Sequence, residues 1–489
     1  MRRISMIGLL ATLPLVGCSS DKDDDGHDTG HVDTGDTESD TDTDTDTDTD
    51  SDTDVDVPDT YEFDSALSPG ESSVSYSGQV FRQLLMADMK AALEVLTGMV
   101  DANTGMYANP GTIKDYLWGV YWTGELLDGS RPHLLSFSTD ALQTTYDEVS
   151  SGKDLQGKIA GNDSATDYKN WTGGDFAGWN APSPEALVEA WLDMLDANVV
   201  AYAKGGDLTG IDGSAVSKVY FTSEGHDLQQ LIQKFSGVAI AFHQAADDYT
   251  DDDVDGKGLN ADHIEPYKGT NPYTALEHAW DEAFGYFGAA RAYGQWDDSE
   301  NKAASKGYDA DGDGKIDLKT EVNWGHSVNC AKRDLGAVAA TDFTGDAWAG
   351  FTLGRQLLAE TAGTALTEAQ LNELKGHRDQ AIGAWEKAIA ATAVHYVNDT
   401  LQALKAATLD AEELATVWSE LKGFALAFQF NPRSPMSDAD FVKLHNLLGE
   451  APSLDASYEA DLIEARALMG TAYSFDSTNM GDANGENGW

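Results

Sequence analysis

Residues 271–288 read NPYTALEHAWDEAFGYFG, and this stretch has the clearest helical pattern in the chain. At about 100° per residue, its large apolar side chains share one face of a helix and its charged side chains share the opposite face. The apolar face comprises Leu276, Trp280, Phe284 and Phe287. Asn271 precedes Pro272, which suits the first position of a helix, so we expect the helix to begin there. Gly285 and Gly288 lack side chains and would let a second helix approach closely.

Similar spacing of apolar residues recurs through the rest of the chain and indicates an all-α fold, a helical bundle. We expect helices over residues 81–99, 185–204, 226–247, 272–292, 327–340, 366–390, 391–406, 411–428, 437–448 and 458–469. Alternating β patterns are scarce, with 218–222 as one short candidate. Residues 101–184 are rich in Gly, Asp, Ser and Trp, which predicts a long loop-rich insertion. The expected helical domain spans residues 61–475, and a flexible C-terminal tail follows at 476–489.

The N-terminus has the pattern of a secretory signal. Two arginines precede an apolar run that is too short to span a membrane, and the run ends in Leu-Val-Gly before Cys18. That ending resembles the lipobox of bacterial lipoproteins, which implies cleavage before Cys18 and attachment of lipid to its thiol. We therefore expect residues 1–17 to be a lipoprotein signal peptide. The mature protein would be exported and anchored by its N-terminal lipid to the outer membrane, on the periplasmic face or at the cell surface.

Residues 18–60 follow as the lipidated cysteine and an acidic tether. From residue 21 to residue 60 the chain has 18 Asp or Glu and one Lys, with almost no apolar side chains. Such a segment cannot bury enough apolar surface to fold, so we expect a disordered, solvated spacer. The whole chain has a formal net charge of -53 at pH 7, which excludes direct binding to nucleic acid. Cys330 is the only cysteine after Cys18, so the folded body has no internal disulfide.

The charged face of residues 271–288 has the composition of a metal site. Its side chains are Glu277, His278, Asp281 and Glu282. His278 lies three residues before Asp281 and four before Glu282, so one turn of helix would bring these groups toward a single ion. Imidazole and carboxylate ligands suit iron, zinc or manganese, and helical bundles often build such sites from inward-facing polar residues. The alternative is a solvated face with charge pairs along the helix.

A second candidate is a loop that begins at Asp309. The run from Asp309 to Asp317, DADGDGKID, resembles an EF-hand or dockerin-type calcium loop, in which Gly314 would make the sharp turn and Ile316 would pack inward. Its ligands would be the side chains of Asp309, Asp311, Asp313 and Asp317, the backbone carbonyl of Lys315, and Glu321. Position 12 of the pattern is Thr320, and Glu321 follows one residue late. We expect weak binding of Ca²⁺ here, with a structural role.

An acidic segment at 251–262 repeats part of this pattern. Its ligands would be Asp251, Asp253, Asp255, the backbone of Lys257, and Asp262. Gly256 occupies the turn position, but Gly258 replaces the apolar residue that should pack inward. The segment is therefore either a second calcium site or a solvated acidic loop between helices.

The run from Glu277 to Gly288 also resembles the signature of a family of secreted bacterial lipoproteins that is catalogued only as a domain of unknown function and is akin to the imelysin-like proteins. Segments 75–85, 229–234 and 418–424 support the resemblance. It extends over most of residues 61–450. The resemblance implies a helical protein built from two related bundles, with a role in iron uptake at the bacterial envelope.

The imelysin motif itself is Gly-x-His-x-x-Glu, and the resemblance transfers its metal-binding role to His278 and Asp281. In this chain Leu276 replaces the Gly and Asp281 replaces the Glu.

Together these features predict a non-enzymatic, envelope-anchored lipoprotein that binds a metal or a metal-bearing ligand, is stabilised by calcium, and assists iron acquisition. Its partners would be the membrane and outer-membrane iron-uptake components, and its oligomeric state stays open. One alternative is a metal-dependent hydrolase with Glu282 as general base, although the chain has no common catalytic motif. Another is a calcium-stabilised adhesin or glycan-binder that uses the tryptophans between Trp118 and Trp191.

Overall fold

The segment 271–288 forms a helix in the computed structural model, which describes residues 56–163 and 167–489. The helix begins at Ala275 instead of Pro272, because Thr274 caps it. The Thr274 hydroxyl accepts a hydrogen bond from the Glu277 amide at 3.2 Å, and the Glu277 carboxylate accepts one from the Thr274 amide at 2.8 Å. This reciprocal capping box satisfies amide groups that the first turn leaves unpaired. Gly288 ends the helix with a φ of 84°, which favours glycine.

The described residues form fifteen α-helices and no β-sheet, which confirms the predicted all-α class. In chain order the helices are α1 Ser77–Glu94, α2 Leu96–Ala102, α3 Thr104–Tyr107, α4 Thr112–Leu117, α5 Tyr146–Val149, α6 Pro184–Ala203, α7 Leu228–Ser236, α8 Ala275–Phe287, α9 Asp298–Ala303, α10 His326–Leu335, α11 Phe343–Thr361, α12 Glu368–Lys405, α13 Ala411–Ala425, α14 Asp438–Leu448 and α15 Tyr458–Tyr473. Residues 218–222 form no strand and contribute only an isolated bridge, between Phe221 and Asp227. Only short helices interrupt the loop-rich region between α2 and α6.

Several predicted helices have a different form in the structure. The segment 226–247 is α-helical only as far as Ser236, and π-helical turns continue it at Gly237–Phe242 and Gln244–Tyr249. The two helices expected at 366–390 and 391–406 are one continuous helix, α12, of 38 residues. π-helical turns are rare in proteins, and those that occur are often at functional sites. The segment after α7 is therefore a candidate functional region.

Helix α11 is absent from the predicted set, because its glycines lower helix propensity. Those glycines provide room for neighbouring elements. A Cβ added at Gly354 would lie 2.1 Å from the Trp280 ring, and one added at Gly350 would lie 2.5 Å from the backbone nitrogen of Ala381. Close packing against α8 and α12 therefore explains a composition that, in isolation, disfavours a helix.

Aromatic side chains of α8, α11 and α12 form the centre of the core. The Phe287 ring centroid lies 5.3 Å from that of Phe351 and 5.2 Å from that of Trp385. The Trp280 indole donates a hydrogen bond to the Phe351 carbonyl at 2.9 Å. All four residues of the predicted apolar face of α8 are buried, which confirms that prediction. Because full burial of one such side chain contributes about 1.5–3 kcal/mol, this face holds α8 firmly in the core.

The glycines of α8 lie against α1 and the loop before α10. A Cβ added at Gly285 would lie 2.8 Å from the Cβ of Tyr76 and 2.9 Å from that of Gln79. One added at Gly288 would lie 2.8 Å from the Cβ of Trp324. The expected close approach of a second helix is confirmed at Gly285, whereas the near neighbour of Gly288 is the loop residue Trp324.

Both ends of the described body pack against helices. Residues 1–55, including Cys18 and most of the predicted tether, lie outside the described residues. The Pro58 carbonyl accepts a hydrogen bond from the Trp348 indole at 2.8 Å, so the folded body begins before residue 61. Residues 476–489, where the sequence predicts a flexible tail, pack on α10 and α12. Trp489 is buried there, and its indole donates to the Arg333 carbonyl at 2.9 Å while its own carbonyl accepts from Asn398 at 2.7 Å.

Among the helices of the described residues, none combines the length and the apolar composition needed to cross a bilayer.

Candidate metal centres

Two of the four polar residues on α8 contact a buried arginine. Arg355 of α11 is fully buried, with its Nη1 2.9 Å from Glu277 Oε1 and its Nε 2.8 Å from Asp281 Oδ1. Its Nη2 donates hydrogen bonds to the hydroxyl and carbonyl oxygens of Ser73 at 2.7 and 3.0 Å. Asp281 accepts a further hydrogen bond from the Tyr61 hydroxyl at 3.0 Å. Protein donors therefore surround both carboxylates.

The charges of this cluster support one another. Burial lowers the pKa of Arg355, but the facing carboxylates of Asp281 and Glu277 raise it by a larger amount. The pKa of Arg355 therefore lies above its ordinary range. Burial raises the pKa of Glu277, and Arg355 opposes that rise. Arg355 contacts only two of the four predicted ligands, so the structure divides them into two pairs. The sequence pattern did not reveal the helix that carries Arg355. Glu277 and Asp281 form the structural pair.

His278 and Glu282 form the second pair, which is partly open to solvent. The His278 Nε2 lies 3.8 Å from Glu282 Oε1, and the two side chains are 20% and 23% exposed. His278 Nδ1 lies 3.0 Å from the Ser75 carbonyl, so this nitrogen carries the proton and Nε2 is left with a free lone pair. The rings of Tyr267 and Tyr273 flank the imidazole, with centroids 5.1 and 5.0 Å away. A backbone carbonyl that orients the imidazole in this way is typical of metal-binding histidines.

The loop at 309–321, called here the Asp309 loop, brings three of its predicted ligands together. Carboxylate oxygens of Asp309, Asp311 and Asp313 all lie within 4.8 Å of one another. Asp309 accepts hydrogen bonds from the amides of Gly312 and Gly314, both at 2.9 Å, which folds the chain around its carboxylate. Gly314 has a φ of 84°, so the predicted sharp turn is present at this glycine.

Ile316 attaches the Asp309 loop to the body of the protein. Its side chain is fully buried, as predicted, and its amide donates to the Asp140 carbonyl at 3.0 Å. Its carbonyl accepts from the Leu142 amide at 2.7 Å, which completes an isolated parallel bridge between Ala141 and Ile316. The loop therefore has a fixed position on the loop-rich region before α6.

The remaining predicted ligands of the Asp309 loop have other partners. Asp317 accepts a hydrogen bond from the Gln143 side chain at 2.9 Å. Glu321 is buried, and its two carboxylate oxygens accept from the amides of Ala310 and Asp317, both at 2.8 Å. The Lys315 amide donates a hydrogen bond to the Asp313 carboxylate at 2.8 Å. Glu321 therefore braces the loop backbone, one residue after the position where a bidentate ligand is expected.

The acidic loop at 251–262 brings only part of its predicted ligand set together. Asp251 pairs with Arg433 at 2.8 Å, Asp262 accepts from the amide of Ile264 at 3.1 Å, and Asp255 is exposed. Asp251, Asp253 and Lys257 instead line a small cleft. Two carboxylates from the preceding π-helical turn, Asp247 and Asp248, complete its acidic wall.

An acid–imidazole cluster that the sequence pattern does not show lies at the start of the second of these π-helical turns. His243 is fully buried between Asp167, 2.9 Å from its Nε2, and Asp247, 3.7 Å from its Nδ1. Burial lowers the pKa of His243, but the two carboxylates outweigh it and raise that pKa. Burial raises the pKa of Asp247 to about 7. The three groups would suit a small metal ion, or they form a buried ion triad with a protonated imidazole. Asp167 lies 76 residues before His243, so no local spacing could reveal the cluster.

The tryptophans of the loop-rich region serve mainly as core. Trp122, Trp171 and Trp191 are fully buried, and Trp191 packs edge-on against Phe235 with centroids 5.4 Å apart. Trp118 and Trp179 are partly exposed.

No curated protein and no solved structure matches the chain. One family model, described as Domain of unknown function (DUF4856), matches residues 185–446, which is more than half of the chain. The match runs from α6 into α14 and includes α8, the Asp309 loop and the π-helical turns after α7. The chain therefore belongs to this family, the Domain of unknown function (DUF4856).

Proposed function

We propose that the protein is an envelope-anchored lipoprotein whose helical domain binds divalent cations, with calcium in the Asp309 loop as a structural ion. The observation that carries the proposal is the convergence of the carboxylates of Asp309, Asp311 and Asp313 within 4.8 Å of one another. Like charges this close repel one another, and a divalent cation would remove the repulsion. Ca²⁺ takes six to eight oxygen ligands, so water and backbone carbonyls would complete its coordination.

The pair His278 and Glu282 supports a second cation site with a functional role. The Ser75 carbonyl orients the imidazole, and Nε2 lies 3.8 Å from Glu282 Oε1, an oxygen that also accepts a hydrogen bond from the Gln79 side chain at 2.8 Å. A separation near 3–4 Å between donors is compatible with one ion bound by both, and imidazole with carboxylate suits iron or zinc. Two protein ligands leave most of the coordination sphere open. The pair is therefore suited to a metal that arrives with ligands of its own.

This geometry favours capture of a metal-bearing ligand and fits an accessory role in iron acquisition, as the imelysin-like resemblance implies. The N-terminal lipid would hold the domain at the envelope, where such a ligand would arrive. Glu277 and Asp281 already pair with Arg355, so they are not ligands of the proposed metal site. The proposal consequently transfers the metal-binding role from Asp281 to Glu282.

Equilibrium titration of zinc and ferrous iron into the wild-type protein and the His278→Ala variant tests the metal site. His377→Ala, which removes a partly exposed histidine of α12, is the matched control. We expect at least tenfold weaker binding in His278→Ala and unchanged binding in His377→Ala. Equal binding by the wild type and His278→Ala would remove this site from the account.

Thermal unfolding with and without calcium tests the structural ion. Extracellular-type loops have dissociation constants of about 10⁻⁴–10⁻³ M, so 10 mM Ca²⁺ should stabilise the native state by about 1.4–2.7 kcal/mol. The melting temperature should rise accordingly in the wild type and should not respond in an Asp311→Ala, Asp313→Ala variant. A full response in that variant would place the ion elsewhere.

A further inference from the structure

His243 lies between the two π-helical turns that follow α7, and its contacts hold the imidazole in one orientation. Its Nε2 lies 2.9 Å from Asp167 Oδ1, and the other oxygen of Asp167 accepts a hydrogen bond from the Gly161 amide at 2.9 Å. The rings of Trp171 and Phe430 pack against the imidazole, with centroids 6.1 and 5.7 Å away. Asp167 therefore accepts from a protonated Nε2 and leaves the lone pair on Nδ1. A carboxylate has this same position behind many metal-binding histidines.

The other ring nitrogen lies near a second carboxylate, at a distance too long for a hydrogen bond. Nδ1 is 3.7 Å from Asp247 Oδ2, both side chains are fully buried, and Nδ1 has no hydrogen-bond partner within the described residues. A protonated Nδ1 would need an acceptor within about 2.7–3.2 Å. Two ligands that each lie 2.0–2.2 Å from a tetrahedral zinc ion are about 3.3–3.6 Å apart. The observed distance is therefore closer to that between two ligands of one ion.

The carboxylate of Asp247 also has an oxygen to spare. Its Oδ2 accepts a hydrogen bond from the Tyr168 amide at 3.1 Å, whereas its Oδ1 is buried and has no partner in the part of the chain that the structure describes. Buried polar atoms without partners are rare unless a ligand or water satisfies them. Here two such atoms, His243 Nδ1 and Asp247 Oδ1, belong to facing side chains. Ligand atoms of Asp167, His243 and Asp247 all lie within 4.8 Å of one another.

The charges around the cluster also favour a dication. With its proton on Nε2 alone the imidazole is neutral, so the ionised carboxylates of Asp167 and Asp247 place two negative charges in buried surroundings. Burial raises the pKa of Asp247 most, and the neighbouring charges of Asp248 and Asp251 raise it as well. The positive charge of Arg433 is already paired with Asp251 at 2.8 Å. A divalent ion would balance both buried carboxylates, whereas a proton on Nδ1 would balance only one.

The acidic cleft described above gives an ion a route to this cluster. Asp247 and Asp248 line the cleft together with Asp253 and Lys257. Asp247 is buried and Asp253 is exposed, so the cleft extends from the surface toward the cluster. Clefts lined by carboxylates raise the local concentration of cations.

We propose that His243 Nδ1 and Asp247 bind a divalent transition-metal ion at the inner end of this cleft, with Asp167 orienting the imidazole. Asp248 and water would complete the coordination. Nitrogen and carboxylate ligands together suit zinc, ferrous iron or manganese, whereas calcium takes oxygen ligands. The site shares no residue with the Asp309 loop or with the pair His278 and Glu282. It can therefore be tested separately from the proposed function.

Titration of the full chain with Zn²⁺, in calcium-containing buffer that keeps the Asp309 loop occupied, counts these sites. The His278→Ala variant lacks the other proposed transition-metal site, so we expect one zinc ion to bind to it. Addition of Asp247→Asn to that variant keeps the side-chain size and should weaken zinc binding by roughly tenfold or more. Asp255→Asn is the matched control, because it removes an exposed carboxylate of the same loop that does not line the cleft. It should leave zinc binding unchanged.

His243→Gln provides a second route if Asp247→Asn fails to fold, and it should weaken zinc binding to the same extent. The visible absorption of bound Co²⁺ gives a further readout, because it depends on the ligands of the ion and on their orientation. We expect both His243→Gln and Asp167→Asn to change that spectrum in the His278→Ala background.

The possible failures of the two proposals are distinguishable. Absence of zinc binding by His278→Ala would overturn the site at His243 and would leave the proposed site at His278 untouched. Equal zinc binding with and without Asp247→Asn would overturn it as well, because the cluster would then be a buried ion triad with a protonated imidazole. A Co²⁺ spectrum that neither His243→Gln nor Asp167→Asn alters would also overturn it.

Discussion

Replacement of Arg355 by methionine is the perturbation for which the structure gives the sharpest expectation. Methionine keeps much of the side-chain volume but removes the positive charge that pairs with Glu277 and Asp281 at 2.9 and 2.8 Å. Removal of one member of a buried ion pair costs about 3–5 kcal/mol, because the partner charge stays buried without compensation. Two carboxylates are stranded here, so we expect a loss of about 4 kcal/mol or more. That is a large part of the 5–15 kcal/mol typical of a folded domain.

The loss should depend on pH in a defined direction. Burial raises the pKa of Glu277, and in the Arg355→Met variant nothing from the guanidinium opposes that rise. A carboxyl group with a raised pKa in the folded state binds its proton more tightly there than in the unfolded chain. The part of the penalty that comes from Glu277 is therefore absent below the ordinary pKa of 4.5, grows as the pH rises toward the raised folded-state pKa, and is complete above it. The variant should be closest to the wild type near pH 4.

Urea denaturation followed by tryptophan fluorescence at pH 4 and pH 7 measures these effects. The triple variant Arg355→Met, Glu277→Gln, Asp281→Asn should recover most of the stability lost at pH 7, because it leaves no stranded charge. Lys443→Met is the matched control, since the pair of Lys443 with Glu464 is about half exposed and should not affect the midpoint. An Arg355→Met midpoint equal to that of the wild type at pH 7 would show that Arg355 does not compensate the two buried carboxylates. Failure of the triple variant to recover stability would lead to the same conclusion.

Three further predictions follow from single contacts. Gly285→Ala should lower the free energy of unfolding, measured by urea denaturation, by about 1–3 kcal/mol, because its Cβ would meet Tyr76 and Gln79. Gly376→Ala, on open surface of α12, is the control and should raise that free energy by about 0.5–1 kcal/mol. Removal of residues 476–489 should lower the melting temperature by the equivalent of about 3 kcal/mol or more, because it removes the buried Trp489; an unchanged melting curve would contradict the packing described. Burial raises the pKa of Asp227 to about 7. The stabilisation that the protonated Asp227 carboxyl provides is therefore complete below pH 3.8 and is lost as the pH rises to 7. Asp227→Asn keeps the side-chain oxygen that caps α7 but cannot lose a proton. It should therefore remove this pH dependence from a series of urea midpoints, and an unchanged pH dependence would show that another group causes it.

The sequence predicts best what depends on neighbours along the chain. The apolar face of α8 and the turn at Gly314 follow from local spacing alone, and both are present in the structure. The inward packing of Ile316 is a property of the same local pattern. Capping chemistry is also local, yet Pro272 gave a misleading start for α8, because Thr274 and Glu277 form the capping box three residues later.

Long-range contacts account for what the sequence did not predict. Helix α11 has glycines that lower its propensity, and Trp280 fills the space at one of them. Because that helix was not expected, neither was Arg355, which converts two predicted metal ligands into a structural ion pair. The cluster of Asp167 with His243 likewise joins residues that are far apart in the chain.

Calorimetric titration of calcium into the wild-type protein and into an Asp309→Asn, Asp311→Asn, Asp313→Asn variant measures whether the Asp309 loop binds calcium. These substitutions remove three converging charges and keep the side-chain size, and Asp255→Asn removes an exposed charge of the acidic loop as a control. We expect an ion in the Asp309 loop with a dissociation constant of about 10⁻⁴–10⁻³ M, retained in Asp255→Asn and lost in the triple variant. Absence of calcium binding by the wild type, or equal binding by the triple variant, would contradict it.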